Sequence, residues 1–347
     1  MQVLLIGGTG QIGCETAKEL FSRGHRVTAV ALSPLPKKKD LPDRIKFIEE
    51  DYTALSEEQL VSLLTGCDGL VLASGTNENF ETEAPVEELL VRKDVLPLRR
   101  LMPVAQRCGV QRVVLAGSYL AYFQRVWKEL ALEAQPFVRS CMEQENVAMS
   151  FAGGNMAVSV LELPLVVGGG KWSVPLLLPL VADALENPKR SLVSKGGTAL
   201  VTARQAAQAV SGALEQGRGG KTYPIGFYDL SWVELMRKIH QQLQLPDKKV
   251  KLAAAMTLQS RTRREQARLN GSGKIAALDP AARTALRAAS AYLDKHIAVE
   301  RFGVGEDDLD AALGETVKRC VEILNGISKN KSVVPPPDRP SDDKTAK

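Results

Sequence analysis

A short apolar run, Gln2 to Ile6, ends in Gly7-Gly8-Thr9-Gly10-Gln11-Ile12-Gly13, and a helical pattern follows directly from Glu15 to Ser22. A buried strand that feeds a glycine loop and then a helix leaves few folds open. Each glycine has its own use in such a turn. Gly7 permits the tight bend, Gly10 lets the backbone approach a ligand closely, and Gly13 lets helix and strand pack together. The alternation then continues. Arg26 to Leu32, Ile45 to Glu49, Cys67 to Ala73 and Arg112 to Ala116 read as strands, with helices from about Ser56 and from Val86 to Cys108 between them.

Strands alternating with helices predict an α/β chain with a Rossmann-type doubly wound parallel sheet. The length, 347 residues, leaves room for a smaller C-terminal substrate-binding region. The expected division is a dinucleotide-binding core over 1–155, a substrate-binding region with a helical extension over 156–327, and a disordered tail over 328–347. In an open parallel sheet the ligand lies at the carboxyl ends of the strands. Those ends are small or polar here. They nominate Gly7, Thr9, Gly10, Gln11, Ile12 and Gly13 in the loop, Ser33 after the second strand, Asp51 and Tyr52 after the third, and Ala73, Ser74 and Gly75 after the fourth. The helix after the loop offers free N–H groups and a positive dipole end to phosphates. An NAD site usually has an acid at the end of the second strand, on the ribose hydroxyls. This chain has Ser33 there and a lysine run, Lys37 to Lys39, soon after. The cofactor expected is therefore NADP, with Lys37 near its 2′-phosphate and NAD as the alternative. The lysines read otherwise as a solvated, proline-flanked turn.

Over roughly residues 1 to 245 the chain resembles the extended short-chain dehydrogenases/reductases, which include nucleotide-sugar epimerases and dehydratases. Gly7, Gly10 and Gly13 match that family's glycine motif, Asp51 its acid after the third strand, and Ser118 with Tyr122 its Ser-x-x-x-Tyr after the fifth. Leu163 to Gly168, Lys195 to Thr198 and Lys221 to Gly226 resemble its substrate-domain turn and a small returning strand. The resemblance also gives a register to Pro136-Phe137-Val138-Arg139-Ser140-Cys141-Met142-Glu143-Gln144-Glu145. There the family's catalytic helix reads Tyr-x-x-Ser-Lys-x-x-x-Glu. Pro136, Ser140 and Glu145 keep the frame, but Phe137 replaces the tyrosine and Cys141 the lysine. Positions 137, 141 and 145 share one helical face.

In the family the tyrosine exchanges a proton with the substrate oxygen, and the neighbouring lysine makes its phenolate accessible. Phe137 has no ionisable atom and Cys141 no permanent charge. General acid–base catalysis is worth ~10²–10⁴-fold, so the loss is substantial. Ser118 and Tyr122 are the candidate catalytic residues in its place. The resemblance then implies an oxidoreductase or an epimerase/isomerase acting on a small carbonyl- or hydroxyl-bearing metabolite. The alternative is a catalytically silent nucleotide-binding sensor or scaffold.

The rest of the chain adds limits. Five scattered cysteines without a CxxC, and three histidines without an HxxH, predict neither a disulfide frame nor a metal centre. A net charge of +5, spread along the chain, gives no nucleic-acid footprint. No leader and no membrane-length apolar run is apparent, so the expected location is cytoplasmic. Trp172 is a candidate pocket residue, and Arg204 stands where many relatives carry an acid. A helix is expected over Pro175 to Leu185. Asp247 to Arg268 reads as a basic, helix-prone face. Helices over Pro280 to Lys295 and Glu306 to Leu324 would cap the substrate cleft or form a homodimer surface.

Overall fold

A computed structural model of the chain describes residues 1–32, 42, 44–83, 85–170, 173–186 and 189–329. Seven parallel strands form the central sheet, in the order Lys221–Pro224, Ala157–Leu163, Arg112–Ser118, Gly69–Leu72, Gln2–Ile6, Arg26–Ala31 and Lys46–Glu49. Ile6 lies between Val30 on one side and Leu72 on the other. The strand order reverses here, and a crevice opens past the carboxyl ends. Val3, Leu4 and Leu5 are fully buried, because helices cover both faces. On one face the helix Gln11–Ser22 packs beside Ala203–Gln216. On the other, Leu96–Arg107 covers Leu70, Val113 and Val158.

Several expectations need correction. Lys221–Pro224, expected as a small returning strand of the substrate-binding region, pairs in parallel with Ala157–Leu163 and forms an edge of the main sheet. The helix expected from Val86 to Cys108 is two α-helical pieces, Val86–Leu90 and Leu96–Arg107, joined by a π turn at Val91–Val95. Leu96 N–H reaches back to Val91 O, five residues away. Pro97 follows without an N–H to continue the ladder. The helix near Pro175 starts at Leu178, and the stretch after Pro246 opens with a strand, Lys249–Leu252, before the helix Ala255–Gly271. The helix starting at Pro280 stops at Ala288 rather than Lys295, and a two-residue strand follows. The last helix spans Leu309–Lys329, so Ser328 and Lys329 belong to it and not to a tail.

A smaller sheet, built on Gly197–Thr202 with Tyr228–Ser231, Leu165–Val167 and Ser290–Ala291, lies beyond the carboxyl ends. Between the sheets, Gly168, Gly169 and Gly170 all have positive φ, a conformation that disfavours other residues. They are tied down from two directions. Gln11 Nε2 donates to Val166 O at 3.0 Å and Gly168 O at 2.8 Å. From the last helix, Thr316 Oγ1 accepts Gly168 N–H at 2.7 Å and Glu315 accepts Gly169 N–H at 3.0 Å. Among the described residues no helix is long and apolar enough to cross a membrane.

Candidate active site

The crevice holds a cavity of about 620 Å³. Its first end is the glycine loop. Gly7 has φ +89°, and a Cβ there would lie 2.6 Å from Ala73 O. Gly10 is extended and caps a helix that starts at Gln11, four residues earlier than the hydrophobic pattern suggests. Gly13 does not face the cavity. It sits inside that first helical turn, where a Cβ would lie 2.1 Å from Gly7 O. The glycines thus bring backbone to backbone and leave the helix N-terminus bare toward the cavity. Thr9, Gln11 and Ile12 line the same wall.

Asp51, Tyr52, Ala73, Ser74 and Gly75 form the facing wall, as the strand ends suggest. Asp51 accepts the Thr53 N–H and hydroxyl at 3.0 and 2.7 Å. Tyr52 bonds the Ser74 side chain, and burial raises the pKa of its phenol. Asp94, on the π turn, is spent on Thr76, holding both its N–H and its hydroxyl; burial pushes that carboxyl up. Ser33, Lys37 and Trp172 lie outside the described residues. Leu32, just before Ser33, does line the cavity. A bound dinucleotide fits this wall: the cradle has room only for glycine, and the helix end faces it.

The second end belongs to the helix Pro136–Met149. Phe137 and Cys141 both reach the cavity and both are buried. Burial, then the nearby carboxylates Glu145, Asp94 and Glu78, push the Cys141 thiol well above its usual range. It stays neutral, the opposite of the lysine it replaces. Ser118 lines the cavity and caps the helix Tyr119–Val126, accepting the Leu120 N–H at 3.3 Å. Tyr122 is not part of the lining; its ring packs edge-on against Phe123 at 5.2 Å. Tyr119 faces the cavity instead, its hydroxyl 3.2 Å from Thr198 Oγ1. The first residue of the helix sits at the strand end, while the fourth has turned toward the Phe123 cluster. Burial raises the pKa of Tyr119, so its phenol keeps its proton.

Three side chains on this end went unnoticed in the sequence. Glu78 follows the fourth strand, and Arg283 and Arg287 stand four apart on the helix Pro280–Ala288. The i,i+4 spacing of the arginines was the one available signal. Arg283 pairs with Glu265 at 2.7 Å. Arg287 lies over the Trp232 ring at 5.8 Å, and burial lowers its pKa. The other basic side chains serve elsewhere. Arg268 pairs with Glu81 and Arg261 with Asp183, which fastens the basic helix down, and Arg204 is exposed 3.5 Å from Asp307.

Glu145, the last residue of the catalytic frame, points away from the cavity. It shares Arg125 with the fully buried Glu162. One oxygen of each carboxylate has no hydrogen-bond partner. Burial, then the charge of Glu162, push Glu145 up to about 8, and burial raises Glu162 as well. The pair therefore holds one proton between two carboxylates. The folded protein keeps that proton at pH values where the unfolded chain has lost it. Stability should thus fall as pH climbs from the ordinary carboxylate range to about 8, and level off above it. Glu145→Gln should flatten that decline, with its largest gain in melting temperature at pH 8–9 and little at pH 5. Thermal melts across this range check it.

Known proteins agree with this geometry. Residues 7–149 match the NAD(P)H-binding family. A putative dihydroflavonol 4-reductase from Synechocystis sp. (strain ATCC 27184 / PCC 6803 / Kazusa) is 27% identical over 117 residues, 33% of this chain and 32% of that protein. The match thus spans about a third of the curated relative's length. Solved structures align over nearly the whole chain. A nucleoside-diphosphate-sugar epimerase from Pseudomonas aeruginosa superposes with TM-score 0.66 at 19% identity, covering 94% of this chain and 98% of its own. A UDP-glucose-4-epimerase from Stenotrophomonas maltophila, solved with bound NAD, gives 0.66 at 16%, covering 94% and 99%. Residues 7–149 thus match the NAD(P)H-binding family, and the chain shares its fold with solved structures of nucleotide-sugar epimerases.

Proposed function

We propose that the chain is an NAD(P)-dependent enzyme, an oxidoreductase or an epimerase/isomerase, acting on a small hydroxyl- or carbonyl-bearing metabolite without the tyrosine–lysine pair. The observation that carries this reading is one continuous cavity. It runs from the glycine loop, past Ser118 and Phe137, to a polar end lined by Tyr119, Glu78 and Arg287. A protein that only held nucleotide would have no use for that polar end. Bound there, the nicotinamide supplies hydride transfer. The chain's part is to cradle the phosphates at Gly7 to Ile12, to hold the substrate oxygen near Ser118, and to exclude water with Phe137, Leu278 and Leu286.

NADP is favoured over NAD, because the second strand ends at Ala31 and neither Leu32 nor Ser33 after it is an acid to meet a ribose 2′-OH. Phe137 and Cys141 favour a second reading, a silent nucleotide-binding protein. Titration with NADPH and with NADH, followed by nicotinamide fluorescence, tests the proposal. Micromolar binding with NADPH the tighter is the expected result. Equal binding would remove the NADP preference, and no binding of either would remove the cofactor reading itself.

A further inference from the structure

With Phe137 and Cys141 in place, the site needs another group to hold the proton that leaves a hydroxyl. Oxidising an alcohol sends the C–H electron pair, as hydride, to the nicotinamide; the O–H proton goes to a protein base, and reduction reverses both. The cavity's protic side chains can be taken in turn. Cys141 and Tyr119 are both held protonated, and Tyr119 is bonded to Thr198. Asp94 is committed to Thr76 through both oxygens. Ser118 caps a helix and has no base beside it to store a proton.

Glu78 differs from all of these. It lines the cavity on the loop after the fourth strand and is half-buried. Among the described residues its carboxylate accepts no hydrogen bond and joins no ion pair; only its backbone carbonyl is used, by Arg283. It is surrounded on every side by groups that sense its charge. Arg283 and Arg287 act on it from the helix Pro280–Ala288, with Glu265 behind Arg283. Tyr119 stands on the helix Tyr119–Val126, and Cys141 on Pro136–Met149. Lys93 also lines the cavity.

We propose that Glu78 takes and returns the substrate proton at this site, with Tyr119 and Arg287 flanking it, in place of the missing tyrosine–lysine pair. The assignment rests on the reading of the cavity as an NAD(P) site. Burial raises the Glu78 pKa above the ordinary carboxylate value, and its two arginines only partly offset this. A base whose pKa is moved toward the working pH transfers protons best. Arg287 keeps the ionised form within reach and is free to meet a polar substrate group.

The test needs no substrate. The oxidised nicotinamide carries a positive charge and the reduced one does not. A cation placed within about 4–6 Å of Glu78 lowers its pKa by ~1–3 units. Calorimetry of NADP⁺ and NADPH binding, in two buffers of different ionisation enthalpy from pH 5.5 to 8.5, counts the protons released. The expected result is that NADP⁺ releases a fraction of a proton which NADPH does not. Glu78→Gln should remove the release and weaken NADP⁺ binding toward the upper end of the range, while NADPH affinity changes less than threefold. Glu78→Asp should keep a release, and Asp94→Asn should leave it intact. Proton release unchanged in Glu78→Gln, or absent in the wild type despite binding, overturns the proposal and leaves the cofactor reading standing. No binding of either nucleotide overturns both.

Discussion

Arg125→Ala should cost the fold ~3–5 kcal/mol, the usual penalty for leaving buried carboxylates without their cation. Glu162 is fully buried and the Glu145 side chain is only 6% exposed, and Arg125 is the guanidinium bound to both. Removing it leaves the charge of the pair without its cation, in an interior that already leaves one oxygen of each acid without a partner. In thermal melts at pH 8.5 the midpoint should drop by roughly 5–15 °C. At pH 5.5 the drop should shrink, because Glu145 is then protonated in the fold and less uncompensated charge remains. A small loss, equal at the two pH values, would show that the pair is not buried as described.

Gly13→Ala should weaken nucleotide binding at least 100-fold, about 2.7 kcal/mol. The new methyl would lie 2.1 Å from Gly7 O and 3.2 Å from Gly8 Cα, both backbone atoms with no side chain free to swing aside. The loop must lift or the helix must slide, and either moves the N-terminal amides off the phosphates. Gly271→Ala is the control. It closes the helix Ala255–Gly271 with nothing within 4 Å of the added carbon, and affinity should stay within twofold. NADPH fluorescence titration measures both, with far-UV circular dichroism to show that the variants are folded. Comparable affinity for the two variants would remove the glycine loop from the binding site.

What could be read from the sequence was local. A strand, a loop of glycines and a helix are consecutive, so most residues lining this end of the cavity, Asp51 and Ser74 among them, could be named from the sequence, while Gly13 sits behind the wall. The polar end was not. Glu78 is far in the chain from Arg283 and Arg287, and no spacing rule links it to them; they meet because the helix Pro280–Ala288 lies against the loop after the fourth strand. The choice between Tyr119 and Tyr122 turned on helical phase. Both follow Ser118 closely, and only the start of the helix at Tyr119 decides which ring faces the cavity. Hydrophobic periodicity ran straight through Val91–Val95 because a π turn changes the hydrogen-bond partner without removing the apolar face. Lys221–Pro224 was misplaced for another reason: a four-residue edge strand carries no mark of the sheet it will join.

The bonds from Thr316 and Glu315 to Gly168 and Gly169, and from Gln11 to the same loop, have a consequence for how the protein is made. The glycine loop leaves the ribosome well before the helix Leu309–Lys329 that braces its surroundings. At ~5–20 residues per second, synthesis separates the two by many seconds. During that interval the nascent chain carries the fingerprint without its support, and the edge strand Lys221–Pro224 completes the sheet only part-way through. On the reading of this loop as a nucleotide site, the ligand would favour chains in which the helix Leu309–Lys329 has already docked.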